Sequence, residues 1–400
     1  MSTTLAAILS AAGAVAFLVI TAALTWWFLF RKKLASRTSE TASSDPSVQA
    51  LERHATVELS LREAKCFDIG ELSLATKDFS DKNLIGFGQF GEVFKGLLND
   101  GILVAIKCRR QNRTQEFVDE VRYLASIQHR NLVSLLGYCQ EDDQQFLVYE
   151  YIPSGSVSSY LYGNSPADLR RRRFHFFYIP AGEGQVSDGK LEFKLRLSIA
   201  LGAAKGLAHL HSLTPRLTHK DFKTSNVLVD ENFIAKVADS GLRNFLSKPD
   251  IAGTSSLNTA GEIFQSPEVK EFNQYSEKSD VFSFGVFLLE LLAGKEAFQP
   301  PFPGESETLL EWVQKIEDYG NFSAIVDKKM GNSFTSQGME EFIELMMRCI
   351  EAPTQKRPLI SHVAAEIDRV LEKEMTLTTV MTEEGAPTVT LGSQLFRAVK

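Results

Sequence analysis

The sequence predicts an α+β protein preceded by one transmembrane helix, and three observations carry that prediction. An uncharged stretch opens the chain, apolar β-branched runs with interleaved glycines follow, and amphipathic helical stripes come later. The 400 residues are 44% hydrophobic and 23% charged, enough apolar material for one large core or two medium ones. A net charge of −7 makes no whole-chain case for nucleic-acid binding. The cysteines, Cys66, Cys108, Cys139 and Cys349, are scattered and form no CxxC pair. They read as reduced packing thiols, not as a zinc site.

The opening stretch, "LAAILSAAGAVAFLVITAALTWWFLF" from Leu5 to Phe30, has no charged residue. As a helix it would span about 39 Å, against a hydrocarbon core of about 30 Å. Trp26 and Trp27 sit near one end, where amphipathic rings favour the interface, and Arg31, Lys32 and Lys33 follow at once. Basic residues after the span and none before it place the following chain in the cytoplasm, with a minimal extracellular part. A cleaved signal peptide would want a basic start and a shorter apolar run. Residues 1–30 are therefore expected to form the anchor, in the plasma membrane, and 31–66 a juxtamembrane linker rich in Ser, Thr and Glu. Residues 372–400 lack periodicity and read as a flexible tail.

In "LIGFGQFGEVFKG", 84 to 96, apolar residues alternate around Gly86, Gly88 and Gly91, and "LVAIKC" follows at 103 to 108. The linking "LNDG", with Asp100-Gly101 as turn signal, makes these a hairpin. Glycines there let backbone N–H groups approach phosphates. A dinucleotide loop would run strand, turn, helix; here strand continues. A lone strand lysine is usually a solvated edge residue, but Lys107, at this spacing after the glycines, is a candidate phosphate cation. In 113–128 a helical stripe of Phe117, Val121, Leu124 and Ile127 follows. Glu120 lies beside the stripe as a partner for Lys107, with Glu116 and Asp119 as alternatives.

Several ordered motifs now accumulate: "FDIGELSLATKDFS", "HRNLVSLLGYC", "LVYEYIPSGSV", "SIALGAAKGLAHLHS", "HKDFKTSN", "SDVFSFGVFLLELLAGK" and "QKRP". From about Phe67 to Leu371 the chain resembles a protein kinase of the plant receptor-like serine/threonine class. The resemblance implies a two-lobed fold: a small antiparallel sheet lobe with one helix, about 67–148, and a larger, mainly helical lobe, about 153–371. It implies ATP in the cleft with Mg2+ or Mn2+, a protein substrate presenting Ser or Thr, and a receptor partner supplying ligand sensing. Adenine would be held at Tyr149, Glu150, Tyr151 and Ile152. The flap Gly86, Phe87, Gly88, Gln89, Phe90 and Gly91, together with Val93, Ala105 and Leu228, would complete the nucleotide site.

By the same resemblance Asp221 would accept the substrate hydroxyl proton, Lys223 would sit over the γ-phosphate, and Asn226 and Asp239 would hold the metal. Lys107, paired to Glu120, would grip the α- and β-phosphates. Phosphoryl transfer has a loose transition state, so positioning and charge neutralisation are what such residues supply. Asp280 is expected to brace the catalytic loop and Glu268 to pair with Arg357.

Two letters depart from the pattern. Lys220 replaces an arginine that receives activation-segment phosphate, keeping charge but losing the bidentate fork. Ser240 replaces the phenylalanine of Asp-Phe-Gly, which would pack between His219 and Leu124. Losing a buried Phe costs about 3–5 kcal/mol, at most a factor of about 10² to 10³ in the aligned population. In "NTAGEIFQSPEV", Gly261 stands where Thr is expected, with Thr259 nearby. Ser247, Thr254, Ser255, Ser256 and Thr259 are candidate phosphate acceptors. Residues 163–190 exceed a normal helix connection and read as a surface insertion, with Arg170–Arg173 able to touch anionic lipid as the second reading. A slow, membrane-tethered serine/threonine kinase is the leading reading. A pseudokinase scaffold that binds partners without efficient transfer is the alternative, and a membrane adaptor resting on the basic juxtamembrane region a third.

Overall fold

In the computed structural model of the protein, the described residues are 64–379 apart from 89, 113, 142, 163–190, 243–258, 298–324 and 332–333. The expected membrane span, most of the linker, Gln89, the insertion, most candidate phosphate acceptors and the tail from 380 lie outside them. Among the described residues no helix is long and apolar enough to cross a membrane.

The sheet of the first lobe follows from period-2 patterning. Strand β4 (Leu103–Arg110) lies between β3 (Glu92–Leu97) and β6 (Gln144–Glu150), with Val93↔Lys107 and Lys107↔Leu147 in register. Its Val104 and Ile106 join Phe146 and Val148 on one face, while Ala105 and Lys107 face the other. The β3–β4 turn forms at the Asp100-Gly101 signal: Gly101 has φ +84 and its N–H donates to Leu98 O at 2.9 Å. Strand β2 (Leu84–Phe87) flanks β3, and β5 (Leu135–Glu141) flanks β6.

Three details differ from expectation. The sheet is not wholly antiparallel, because β1 (Lys65–Cys66) pairs parallel to β5 through Lys65↔Gly137 and Cys66↔Tyr138. Those two residues were expected in the linker. A second helix, α1 (Ile69–Thr76), also belongs to this lobe, capped by Asp68, which accepts from Gly70 N–H at 2.7 Å. Its Leu72 seals the Val104–Ile106 face of the sheet. Helix α2 (Gln115–Ser126) covers the opposite face with Phe117, Val121 and Leu124, capped by Thr114.

After β6 the chain passes through Tyr151–Ser156 into α3 (Val157–Tyr162) and the helical lobe. There α4 (Phe193–Ser212) packs on α9 (Ile360–Thr379). Between them in the chain, among the described residues, come a hairpin, β7 (Val227–Val229) with β8 (Ala235–Val237), and four helices. These are α5 (Thr259–Glu262), α6 (Pro267–Phe272), α7 (Glu277–Ala293) and α8 (Ser336–Cys349). Helix α7 is buried nearly all round, as its largely apolar run requires, and starts at a Ser276/Ser279 capping box. Helix α9 continues to Thr379, past the boundary expected at 371, because Glu374 turns inward to accept from Thr335 N–H.

Candidate active site

The β7–β8 register Val227↔Val237 places Asn226 and Ala238 opposite one another at the hairpin's open end. There Ala238 N–H donates to Asn226 O at 2.8 Å. Asp239 is the next residue, held at φ +64, a strained value for a non-glycine residue. From β4, Lys107 reaches down and its Nζ ion-pairs with Asp239 Oδ1. Lys107 is 3% exposed, so this is a buried charge whose partner is essential to it.

The loop before β7 is held from below. Asp280, in the first turn of α7, accepts from His219 N–H at 2.7 Å and Lys220 N–H at 3.0 Å, and lies 2.8 Å from His211 Nε2. Lys220 is thereby held at φ +66. Phe222 is buried against His219, Phe284 and Phe287. Its neighbours Asp221 and Lys223 remain partly exposed, 2.9 Å apart. Asn226 Nδ2 donates to Asp221 O at 2.9 Å. Two polar pairs thus stand on neighbouring segments. Lys107 and Asp239 line the cleft, and Asn226 with Asp221 is tied to the residue before Asp239 by the Ala238 N–H bond to Asn226 O.

The cleft itself lies beside Ala105, Lys107, Tyr149, Glu150, Tyr151, Ile152, Leu228 and Asp239. Ile85, Val133 and Ala238 line it too, and sequence reasoning missed them. Ile85 was legible as the apolar residue before the first glycine; Val133 enters only through its backbone bond to Val237. Beneath, Ile152, Leu228 and Ala238 form an apolar floor. Glu150 holds this connection in place by accepting from Ser134 N–H at 2.7 Å and Lys236 Nζ at 2.9 Å.

Several expected residues lie elsewhere. Gly88 N–H donates to Gly91 O and Gly91 N–H to Gly88 O, so these two donors are spent inside the flap turn. Phe90 does not face the cleft: it is buried, its ring 4.6 Å from the Arg109 guanidinium. Val93 is buried in the core, Phe87 is partly exposed, and neither lines the cleft, nor does Gly86. The Lys107–Glu120 pair is not formed: Lys107 turns to Asp239, and Glu120, half-buried on α2, joins no ion pair among the described residues. The Glu268–Arg357 pair is present and bidentate, at 2.6 and 3.0 Å.

Ser240 sits at a second recess, lined by Leu124, Ile127, Leu132, Val133, Leu135 and Tyr149. Its buried hydroxyl has no hydrogen-bond partner among the described residues. An apolar wall facing an orphan hydroxyl is a poor match, and it lies directly beside Asp239.

A family model described as "Protein tyrosine and serine/threonine kinase" matches residues 79–367. The chain belongs to this protein kinase family. It belongs to the plant receptor-like class, and is by family a serine/threonine kinase. Proline-rich receptor-like protein kinase PERK2 of Arabidopsis thaliana is 36% identical over 315 residues, 76% of this chain and 40% of that protein. The kinase thus spans well under half of that relative's length. Serine/threonine-protein kinase CDG1 of Arabidopsis thaliana is 35% identical, covering 86% of this chain and 78% of that one. Among solved structures, the pseudokinase domain of BIR2, an immune regulator of the RLK/Pelle family, is similar. It has a TM-score of 0.60 and 28% identity, covering 80% of this chain and 93% of that one.

Membership implies ATP and a divalent metal, and the donor set of the kinase fits both. Asp239 and Asn226 supply a carboxylate and an amide oxygen, the hard ligands magnesium takes when phosphates complete its shell. Among the described residues no group of three or more His, Cys, Asp or Glu could hold a metal alone. The nucleotide's own oxygens are therefore needed, as in a phosphotransfer site.

Proposed function

We propose that the kinase transfers the γ-phosphoryl group of ATP to serine or threonine hydroxyls of a protein substrate, slowly, in signalling. The observation that carries this is the Lys107–Asp239 pair lining a cleft with an apolar floor, with the Asn226–Asp221 pair held beside Asp239's segment by the Ala238 N–H bond to Asn226 O. ATP with a divalent metal supplies the transferable group and screens its charge. Asp221, partly exposed, is placed to take the proton of an incoming hydroxyl. Lys223, 2.9 Å from it, presents a cation to charge developing on the transferred group. Asn226 and Asp239 would hold the metal through their side-chain oxygens, and Lys107 would supply positive charge to the phosphates of the nucleotide.

The second reading, a pseudokinase scaffold, is supported by the orphan Ser240 hydroxyl, the unformed Lys107–Glu120 pair and the likeness to a pseudokinase domain. Autophosphorylation of the full chain with Mg2+ and ATP, beside Asp221→Asn, separates the two. Incorporation by the wild type alone supports transfer; equal incorporation by both proteins removes it.

We also propose that residues 5–30 anchor the kinase as a single-pass plasma-membrane protein with its catalytic part in the cytoplasm, where a receptor partner would supply ligand sensing. The uncharged run and the adjacent Arg31, Lys32 and Lys33 support this. Resistance to carbonate extraction is expected, and release into the soluble fraction would contradict it.

A further inference from the structure

Glu290 lies near the C-terminal end of α7, outside the cleft, and phosphotransfer as described above makes no use of it. It is 2% exposed. One carboxylate oxygen, Oε2, accepts from the hydroxyls of Thr224 and Tyr162; the other accepts from Ala297 N–H at 2.8 Å. All three partners are donors, and none is a cation. Thr224 directly follows Lys223 and opens the short 3-10 turn Thr224–Asn226, which is closed by Asn226 N–H donating to Lys223 O at 2.9 Å. Tyr162 ends α3, the helix that follows the connection between the lobes. A single buried carboxylate therefore joins the metal-side turn, the first helix after the hinge and the end of α7.

We propose that Glu290 is a positioning residue for phosphotransfer: its carboxylate clamps the Thr224 and Tyr162 hydroxyls and so sets where the loop presents Asp221 and Asn226. The proposal rests on the kinase reading of the cleft. An isolated carboxylate in such a place is disfavoured by burial, and a neutral side chain of the same shape would be the more stable choice. Burial, with a smaller push from Glu296, raises the Glu290 carboxyl to about 7 despite the three donors. Facing it are Tyr162, whose hydroxyl is itself pushed well up by burial and by Glu290, the uncharged Thr224, and Glu296 beyond the end of α7. The charged form suits three donors. The neutral form brings a proton of its own, so one hydroxyl has to turn round to accept it, and the anchor of the turn changes. The clamp thus loosens as pH falls through about 7.

The test uses the full chain and the variants Glu290→Gln, Thr224→Val, Thr224→Ser and Tyr162→Phe. Phosphate transfer to a generic basic protein and Mg2+-dependent ATP binding are both measured from pH 5.5 to 8.5. Wild-type kcat should fall about tenfold on the acid side, with an inflection near 7. Glu290→Gln should be low and lack that inflection. Thr224→Val should lose kcat about tenfold with KM for ATP within twofold, and Thr224→Ser should restore it. Glu290→Gln or Thr224→Val with the wild-type kcat and inflection overturns the proposal. So does a Glu290→Gln that fails to fold together with Thr224→Val and Tyr162→Phe that fold and turn over normally. If no protein transfers phosphate, the transfer reading fails separately. The clamp is then judged on binding: loss of the Mg2+ enhancement in Thr224→Val supports it, and an unchanged enhancement overturns it.

Discussion

Filling the Ser240 recess is the perturbation whose size can be worked from the structure. Among the described residues the Ser240 hydroxyl has no partner, and it is buried facing Leu124, Ile127, Leu132, Val133, Leu135 and Tyr149. Removing that unsatisfied group gains about 1–3 kcal/mol, and burying a phenyl ring gains about 1.5–3. Shifting Leu124 and Ile127 to admit the ring costs about 1–3. The net for Ser240→Phe is about 2 kcal/mol, or about 3 °C in Tm for a domain of about 300 residues. Because the residue adjoins Asp239, that gain should fall on the arrangement with Asp239 aligned, raising its population up to about 30-fold. Phosphate transfer by the full chain at saturating ATP, with thermal unfolding in parallel, measures both quantities. A folded Ser240→Phe with higher Tm but equal or lower turnover refutes the link between this recess and metal alignment.

Other outcomes follow from the same contacts. Arg357 spends its donors on Glu268, Glu351 O, Lys278 O and Ala352 O, so Arg357→Met should cost about 3–5 kcal/mol in urea unfolding. Gly91 has φ +137, and a Cβ there would lie 2.0 Å from Cys108 O; Gly91→Ala should weaken ATP binding at least about tenfold by calorimetry. Glu290 titrates at about 7 when folded, above the 4.5 of a free carboxyl, so the folded state favours its neutral form. Its contribution is fully present below pH 4.5 and is lost as pH rises to about 7, a difference of about 3 kcal/mol between those limits. Glu290→Gln should therefore gain stability relative to wild type as pH is raised across that window, measured by denaturant midpoints.

How much was legible in the sequence depended on whether a signal was local. The Asp100-Gly101 turn, the Phe117–Val121–Leu124 stripe and the alternation that turns Ala105 and Lys107 to one face are short-range patterns, and they formed where the residues placed them. The Asp280 brace and the Glu268–Arg357 pair were expected from the family pattern and are present. What escaped depends on competition between partners. Lys107 was expected to meet Glu120, with Glu116 and Asp119 as alternatives on the same helix. Asp239, read only as a metal ligand, pairs with it instead because the β7–β8 hairpin delivers it under β4 while Glu120 remains on α2. Phe90 was read as part of a phosphate flap, yet an aromatic ring is better satisfied against the Arg109 guanidinium than in open solvent. The Lys65–Cys66 strand is too short for a period to show, and only its partner β5 defines it. The Glu290 clamp joins residues scattered from Tyr162 to Ala297, which no spacing reveals.

Calorimetric titration of the full chain with ATP, with and without Mg2+, probes the shared cleft most directly. Wild-type binding should tighten at least about tenfold with the metal, Asp239→Asn should lose that enhancement, and Lys107→Met should weaken binding in both conditions. Metal-independent binding that is indifferent to both substitutions would show that these side chains do not form a nucleotide site.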